Sequence, residues 1–263
     1  MGNLEKVTLQ AKETNDIYNT FLATLSEQSR LDFRASFHIR PTSSGKSTVV
    51  STLALAPMRG IQNVKNKDLP HLLSKLSDIL SEIGSSDDST MAKLKELGFK
   101  KRGSVSAREE DAQAAFVRNV ILNNFGGFTF VATEFDLFEF GDKKMTKRPD
   151  VFVYRDGILY DIELKNSRNG PSRDKENIGY SAITQAASYI AHMKEPHNYA
   201  SYINCISEFP NSSIGKIKDI RGVALVPAPK GKTKGTLEKA AKERDVELWT
   251  FDKEYTIAKN ALE

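Results

Sequence analysis

The chain has 263 residues, 39% of them hydrophobic and 27% charged, with a formal net charge of +4 and a single cysteine. That composition excludes collagen-like, wholly disordered and disulfide-stapled classes, and no run approaches the roughly 18 apolar residues of a membrane span. The length suits one large domain or two modest ones, and a charge of +4 is too small by itself to argue for a polyanionic partner.

The opening residues MGNLEKVTLQ have no apolar signal core, and Lys6 stands where a myristoylation signal wants Ser or Thr. The expectation is a cytoplasmic protein with no membrane partner. Residues 4–25 carry Leu4, Val7, Ile17, Phe21 and Leu25 in an amphipathic helical pattern. Over residues 32–40 the pattern changes to alternation. Phe33, Ala35, Phe37 and Ile39 take one side and Arg34, Ser36, His38 and Arg40 the other, which predicts a half-buried strand. A turn at Pro41-Thr42-Ser43-Ser44-Gly45 and a second β-prone run over 48–55 complete a predicted hairpin. The same stretch, continued through Lys46-Ser47, has some likeness to a Walker A loop. Arg40 replaces its leading glycine, however, and a strand follows where phosphate binding needs a helix N-terminus.

Residues 69–83 and 91–97 predict helices. Lys100-Lys101-Arg102-Gly103-Ser104 reads as a basic linker. It divides the chain into a smaller α+β region, residues 1–103, and a second domain, residues 104–263. In that second domain residues 109–124 predict a helix with Ala112, Phe116, Val117, Val120 and Ile121 turned inward. Residues 128–140 predict an aromatic-rich strand. Two strands over 150–154 and 158–164 are joined by Arg155-Asp156-Gly157, a tight hairpin signal. A helix over 181–193, a strand over 221–226, a helix over 236–244 and a strand over 246–251 follow. Meandering strands leading into a β-α-β crossover predict an α/β fold, a mixed sheet with helices on both faces.

The chemistry gathers at the central hairpin. Arg148-Pro149-Asp150 opens one strand and Glu163-Leu164-Lys165 closes the next. Positions 163 and 165 leave the same sheet face, and hairpin pairing brings Asp150 opposite the end of the second strand. Two carboxylates and an ammonium at one sheet edge suit a hard divalent cation such as Mg²⁺ or Mn²⁺. Such an ion polarises a phosphodiester and activates water, while the lysine orients that water or offsets developing charge. The competing reading is an ordinary surface ion network. Against it, Tyr160-Asp161-Ile162-Glu163-Leu164-Lys165 carries charge into an otherwise apolar strand, which is costly unless used. The histidines, His38, His71, His192 and His197, show no zinc-binding spacing and read as structural or surface residues.

Pro149-Asp150 with Glu163-Leu164-Lys165 resembles the signature of the PD-(D/E)XK nuclease superfamily, and the likeness spans roughly residues 105–252. It implies a restriction-endonuclease-like fold in which Asp150 and Glu163 hold the metal and Lys165 positions the attacking water. The helix containing Glu109-Glu110-Asp111-Ala112-Gln113 resembles the family's first acidic helix, which often supplies a further carboxylate. Glu109 is favoured by spacing, but Glu110 also leads an apolar row, and the two stay unseparated. Glu134 is a further candidate, with a solvated strand position the competing reading. Gln185 and Tyr189, at i and i+4 on one helical face, are similar to the QxxxY element of RecB-like nucleases, which implies contact with the scissile region. Residues 221–227 and 246–249 resemble the tail of NucS/EndoMS-like endonucleases.

The resemblance implies a Mg²⁺-dependent endonuclease acting on DNA. The alternatives are an RNA endonuclease of the cap-snatching or toxin kind and a catalytically inactive nucleic-acid-binding module. Lys46, Lys101, Arg102, Lys230, Lys232 and Lys234 are the candidate phosphate contacts, which act through salt-sensitive ion pairing. A homodimer is compatible with double-strand cutting.

Overall fold

The computed structural model describes residues 3–42, 46–53, 58–82, 87–101, 107–134, 148–166, 172–210, 214–252 and 256–257. The chain opens with helix α1 (Asn3–Ala23) and helix α2 (Glu27–Ser36). Strands β1 (Phe37–Pro41), β2 (Ser47–Ser51), β3 (Met58–Arg59) and β4 (Ile61–Val64) follow. Helices α3 (Leu69–Ser81) and α4 (Asp87–Glu96) and strand β5 (Lys100–Lys101) complete the first region. Then come α5 (Ala107–Asn123), β6 (Thr129–Thr133), β7 (Val151–Arg155), β8 (Ile158–Leu164), α6 (Ser172–Lys194), α7 (Pro196–Ser207), β9 (Asp219–Pro227), α8 (Lys232–Glu243) and β10 (Val246–Phe251).

The larger sheet has five strands in the order β10-β9-β8-β7-β6. The first three are parallel and the last three antiparallel. The architecture is therefore mixed α/β, with a five-stranded mixed sheet between helices and a separate three-stranded antiparallel sheet, β1-β2-β4. On one face Ala112, Phe116, Val117 and Val120 of α5 pack against Val151, Val153, Tyr160, Ile162, Val223 and Trp249. On the other face α6 and α7 cover Phe152, Leu159 and Ile220 with Tyr189, Met193, Tyr202 and Ile206. Helix α8 joins that layer through Leu237, Ala240 and Ala241, against Ala182, Ile183 and Ala186 of α6. The β7–β8 turn forms as predicted, with Asp156 and Gly157 both at positive φ (53° and 90°), the conformation a two-residue type I′ hairpin requires.

The strand expected over 32–40 is corrected. Helix α2 runs through Ser36, and only residues 37–41 are extended. Ser26 caps the start of this helix, its hydroxyl accepting from the Ser29 amide at 3.2 Å, and at its end the Phe37 amide still bonds the Phe33 carbonyl. Phe33 and Phe37 sit four apart and their rings meet at 5.5 Å, a spacing that alternation and a helix satisfy equally. Nor is β1 half-buried: all five of its residues are buried. The 41–46 hairpin is confirmed by antiparallel pairing from Phe37↔Ser51 to Pro41↔Ser47, which removes any phosphate-binding helix after Ser47. The segment read as a basic linker begins as β5, paired with β3, and Arg102 lies outside the described residues. Helix α7 went unpredicted, although Pro196 opens it and Tyr202, Cys205 and Ile206 are its buried positions.

The first region does not stand apart from the large sheet. Helix α1 contributes Val7 and Ala11 to the core under β7 and β8, and Tyr18 and Leu22 to a second core with Phe33, Phe37, Leu69, Leu73 and Leu76. A hydrogen bond joins His38 of β1 to Thr133 of β6, and Arg118 of α5 donates to the Ala35 carbonyl of α2 at 3.4 Å. No helix among the described residues is long and apolar enough to cross a membrane.

Candidate active site

The parallel run of β8, β9 and β10 puts their carboxyl ends at one edge of the sheet, where open α/β sheets commonly hold ligands. Strand β7 runs the other way, so it begins at that edge, and β6 ends there. The Val151↔Ile162 register makes Asp150 the neighbour of Glu163, as the hairpin argument expects. The Asp150 carboxylate accepts the Leu164 amide at 2.7 Å. Lys165 lies just past β8, its amide bonded to the Leu225 carbonyl of β9. From there its ammonium donates to Glu163 Oε1 and Glu109 Oε1, both at 2.7 Å, and lies 3.8 Å from Asp150 Oδ2. Three carboxylates from three separate segments therefore share one cation.

Glu109 is the acidic-helix residue that reaches Lys165, while Glu110 lines the adjoining cleft. That cleft, of about 260 Å³, is walled by Glu109, Glu110, Gln113, Glu134, Asp150 and Leu164. Gln113 is a site residue that sequence reasoning missed: its side-chain amide donates to the Asp150 carbonyl at 2.6 Å. Its signal was its place one turn after Glu109 and Glu110 on the same helix. Glu134 belongs to the cleft wall rather than to a solvated strand, and its carboxylate pairs with Arg40 at 2.9 Å.

Burial pushes the Asp150 carboxyl well above the ordinary carboxylate range, and the Glu163 charge adds to the rise. Lys165 and the Leu164 amide oppose it. Burial works to lower Lys165, but Asp150, Glu163 and Glu109 overcome it and hold the ammonium above the usual lysine range. Asp161, two residues before Glu163 and on the same strand face, is fully buried, and neither of its carboxylate oxygens has a hydrogen-bond partner among the described residues. Burial raises its carboxyl well above the usual range, and Glu163 and Asp150 raise it further.

Neither Gln185 nor Tyr189 is among the residues that line the cleft. Tyr189 is 2% exposed, packed on Phe152 and Leu159. Burial raises its phenol, and the charges of Glu163, Asp161 and Asp150 raise it further. Gln185 accepts from the Ser181 hydroxyl one turn back at 3.4 Å.

Lys230, Lys232 and Lys234 are exposed where β9 leads into α8, at the same sheet edge as Lys165; Lys234 also lies 3.7 Å from Glu238. Lys46 is partly buried at the base of the β1–β2 hairpin, its carbonyl accepting from the Thr42 amide at 2.8 Å. Lys101 lies in β5, away from the large sheet in hydrogen bonding. Among the described residues no three acidic, histidine or cysteine side chains stand ready as a metal cage. Asp150, Glu163 and Glu109 nonetheless supply the hard oxygen donors that Mg²⁺ or Mn²⁺ prefers, grouped around one cation. No family model, no curated protein and no solved structure matches the chain.

Proposed function

We propose that the chain is a divalent-metal-dependent endonuclease of the restriction-endonuclease-like kind, hydrolysing phosphodiester bonds in DNA. One observation carries the reading. Lys165 bridges Glu109 and Glu163 at 2.7 Å, with Asp150 at 3.8 Å, at the carboxyl edge of a mixed sheet. Asp150 and Glu163, with Glu109 assisting, would hold Mg²⁺ or Mn²⁺. When bound, the ion supplies Lewis-acid polarisation of the phosphodiester and a more acidic water.

The protein's own groups do the rest. Lys165 donates to the charge that grows on the phosphoryl oxygens, an interaction strongest in the transition state. The Leu164 amide fixes the Asp150 carboxylate, and Gln113 fixes the backbone behind it. Tyr189, buried with Phe152 and Leu159, packs α6 against the strands that carry the carboxylates. Lys230, Lys232 and Lys234, exposed at the same edge, offset the acidity of the cleft and track the phosphate backbone. DNA is preferred to RNA on the family likeness alone.

The test is cleavage of circular single- and double-stranded DNA and a structured RNA in Mg²⁺, Mn²⁺ or EDTA, with wild type and Lys165→Ala. Metal-dependent opening of a DNA circle, lost in the variant, is the expected result. Cutting of RNA alone would reassign the substrate. Binding without cleavage under every condition would replace the enzyme reading with a binding module.

A further inference from the structure

The strand β1 is polar on one side, yet fully buried, and the polar side is what meets the large sheet. His38 bonds Thr133 at the end of β6. Arg40, 8% exposed, uses a single guanidinium nitrogen to hold Glu134 twice, at its backbone carbonyl (2.7 Å) and at its carboxylate (2.9 Å). Glu134 needs holding. Its φ is +48°, in the left-handed region that a non-glycine residue keeps only when its surroundings over-determine it. In that conformation the Glu134 amide donates to the Asp150 carbonyl at 3.3 Å, beside the 2.6 Å bond from Gln113. Position 150 is therefore gripped through its carboxylate by Leu164, and through its carbonyl by α5 and by the end of β6.

We propose that Arg40 is a positioning residue of the active cleft: it locks Glu134 in its left-handed turn and, through the Glu134 amide, sets the place of Asp150. The β1–β2 hairpin is then part of the metal-binding machinery. The argument rests on the metal-site reading above and deepens it, because it assigns a role at that site to the first hundred residues. Partners that orient metal ligands commonly change affinity by tenfold or more when removed.

The experiment is Mn²⁺ titration calorimetry on the full chain, run well below each variant's thermal midpoint. Wild type, Glu163→Gln, Arg40→Met, Arg40→Lys and Glu134→Gly are compared. Wild type binds and Glu163→Gln does not. Arg40→Met weakens Mn²⁺ binding by about tenfold or more, and Arg40→Lys, which keeps a donor and the charge, recovers part of that loss. Glu134→Gly adopts the positive φ without strain and keeps the amide that meets Asp150, so its affinity stays near that of wild type, and adding Arg40→Met to it costs far less than Arg40→Met alone. Wild-type affinity in Arg40→Met, with only the thermal midpoint lowered, would make Arg40 a purely structural residue and overturn the proposal. Arg40→Gln, which fills the same space with a neutral polar chain, is read by the same criterion should Arg40→Met not fold. Absence of Mn²⁺ binding by wild type would instead remove the metal-site reading, and this proposal with it.

Discussion

Replacing Lys165 by methionine tests what holds the charged cluster together. The Glu163 side chain is only 3% exposed and loses a partner at 2.7 Å, a change that costs about 3–5 kcal/mol for a buried pair. Glu109 is 39% exposed, and a pair of that kind contributes about 0–1 kcal/mol. Lys165 and Asp150 are each about one-fifth exposed (21% and 20%), so water moderates the loss. The expected destabilisation is about 2–3 kcal/mol at pH 8 in EDTA, below the fully buried figure. The deficit depends on pH in a definite direction. An acid whose pKa is higher in the folded state holds a proton there that the unfolded chain has released, so stability falls as pH rises above the unfolded value near 4. Asp150 is already raised by burial and by Glu163, and removing the ammonium raises it further. The Lys165→Met deficit is therefore larger at pH 8 than at pH 5, where protonation relieves the cluster. Urea unfolding followed by the fluorescence of Trp249, the single tryptophan and 1% exposed, measures both values. A loss below about 0.5 kcal/mol at pH 8, within the range of an exposed pair, or an equal loss at both pH values, would refute the electrostatic account.

Three further outcomes are expected. Asp161→Asn removes a fully buried carboxyl whose pKa is raised by burial and by Glu163 and Asp150. Its thermal midpoint should gain on that of wild type as pH rises from 4 to 8, and parallel pH profiles would contradict this. At Gly179 an added methyl would lie 2.5 Å from Leu237 Cδ1 and 2.7 Å from Cδ2, in the α6–α8 contact. Gly179→Ala should cost about 1–3 kcal/mol, and a double-mutant cycle with Leu237→Ala should show less than additive loss; strict additivity in denaturant unfolding would exclude the clash. Gly157→Ala forces a side chain into φ +90° against the Lys218 stem. It should destabilise by about 1 kcal/mol or more in the same unfolding assay.

The hairpin that carries Asp150, Glu163 and Lys165 was legible because it is local. Asp156-Gly157 fixes the turn, the turn fixes the register, and register alone makes Asp150 the neighbour of Glu163. Strands β8 and β10 were read at their observed limits, since runs of apolar, β-branched and aromatic residues bounded by turn residues leave little choice. The shorter pattern over 32–40 was misread because Phe33 and Phe37 suit a helix and a strand alike, and the Ser26 cap lies outside the alternating window. Glu109 and Glu110 stayed unseparated for a related reason. Adjacent residues in a first helical turn differ by about 100° in direction, and only the docking of α5 shows which one meets Lys165.

The sequence by itself determined the α/β character, the central hairpin and the carboxylate-lysine constellation, because these rest on local patterns and on one tight turn that sets the register of its two strands. Only the tertiary structure decided that Gln113 and Glu134 wall the cleft, that Asp161 lies fully buried beside Glu163, and that Arg40 reaches across 94 positions to hold Glu134. Those contacts join segments through packed layers. No periodicity along the chain encodes the direction in which two separately folded surfaces meet.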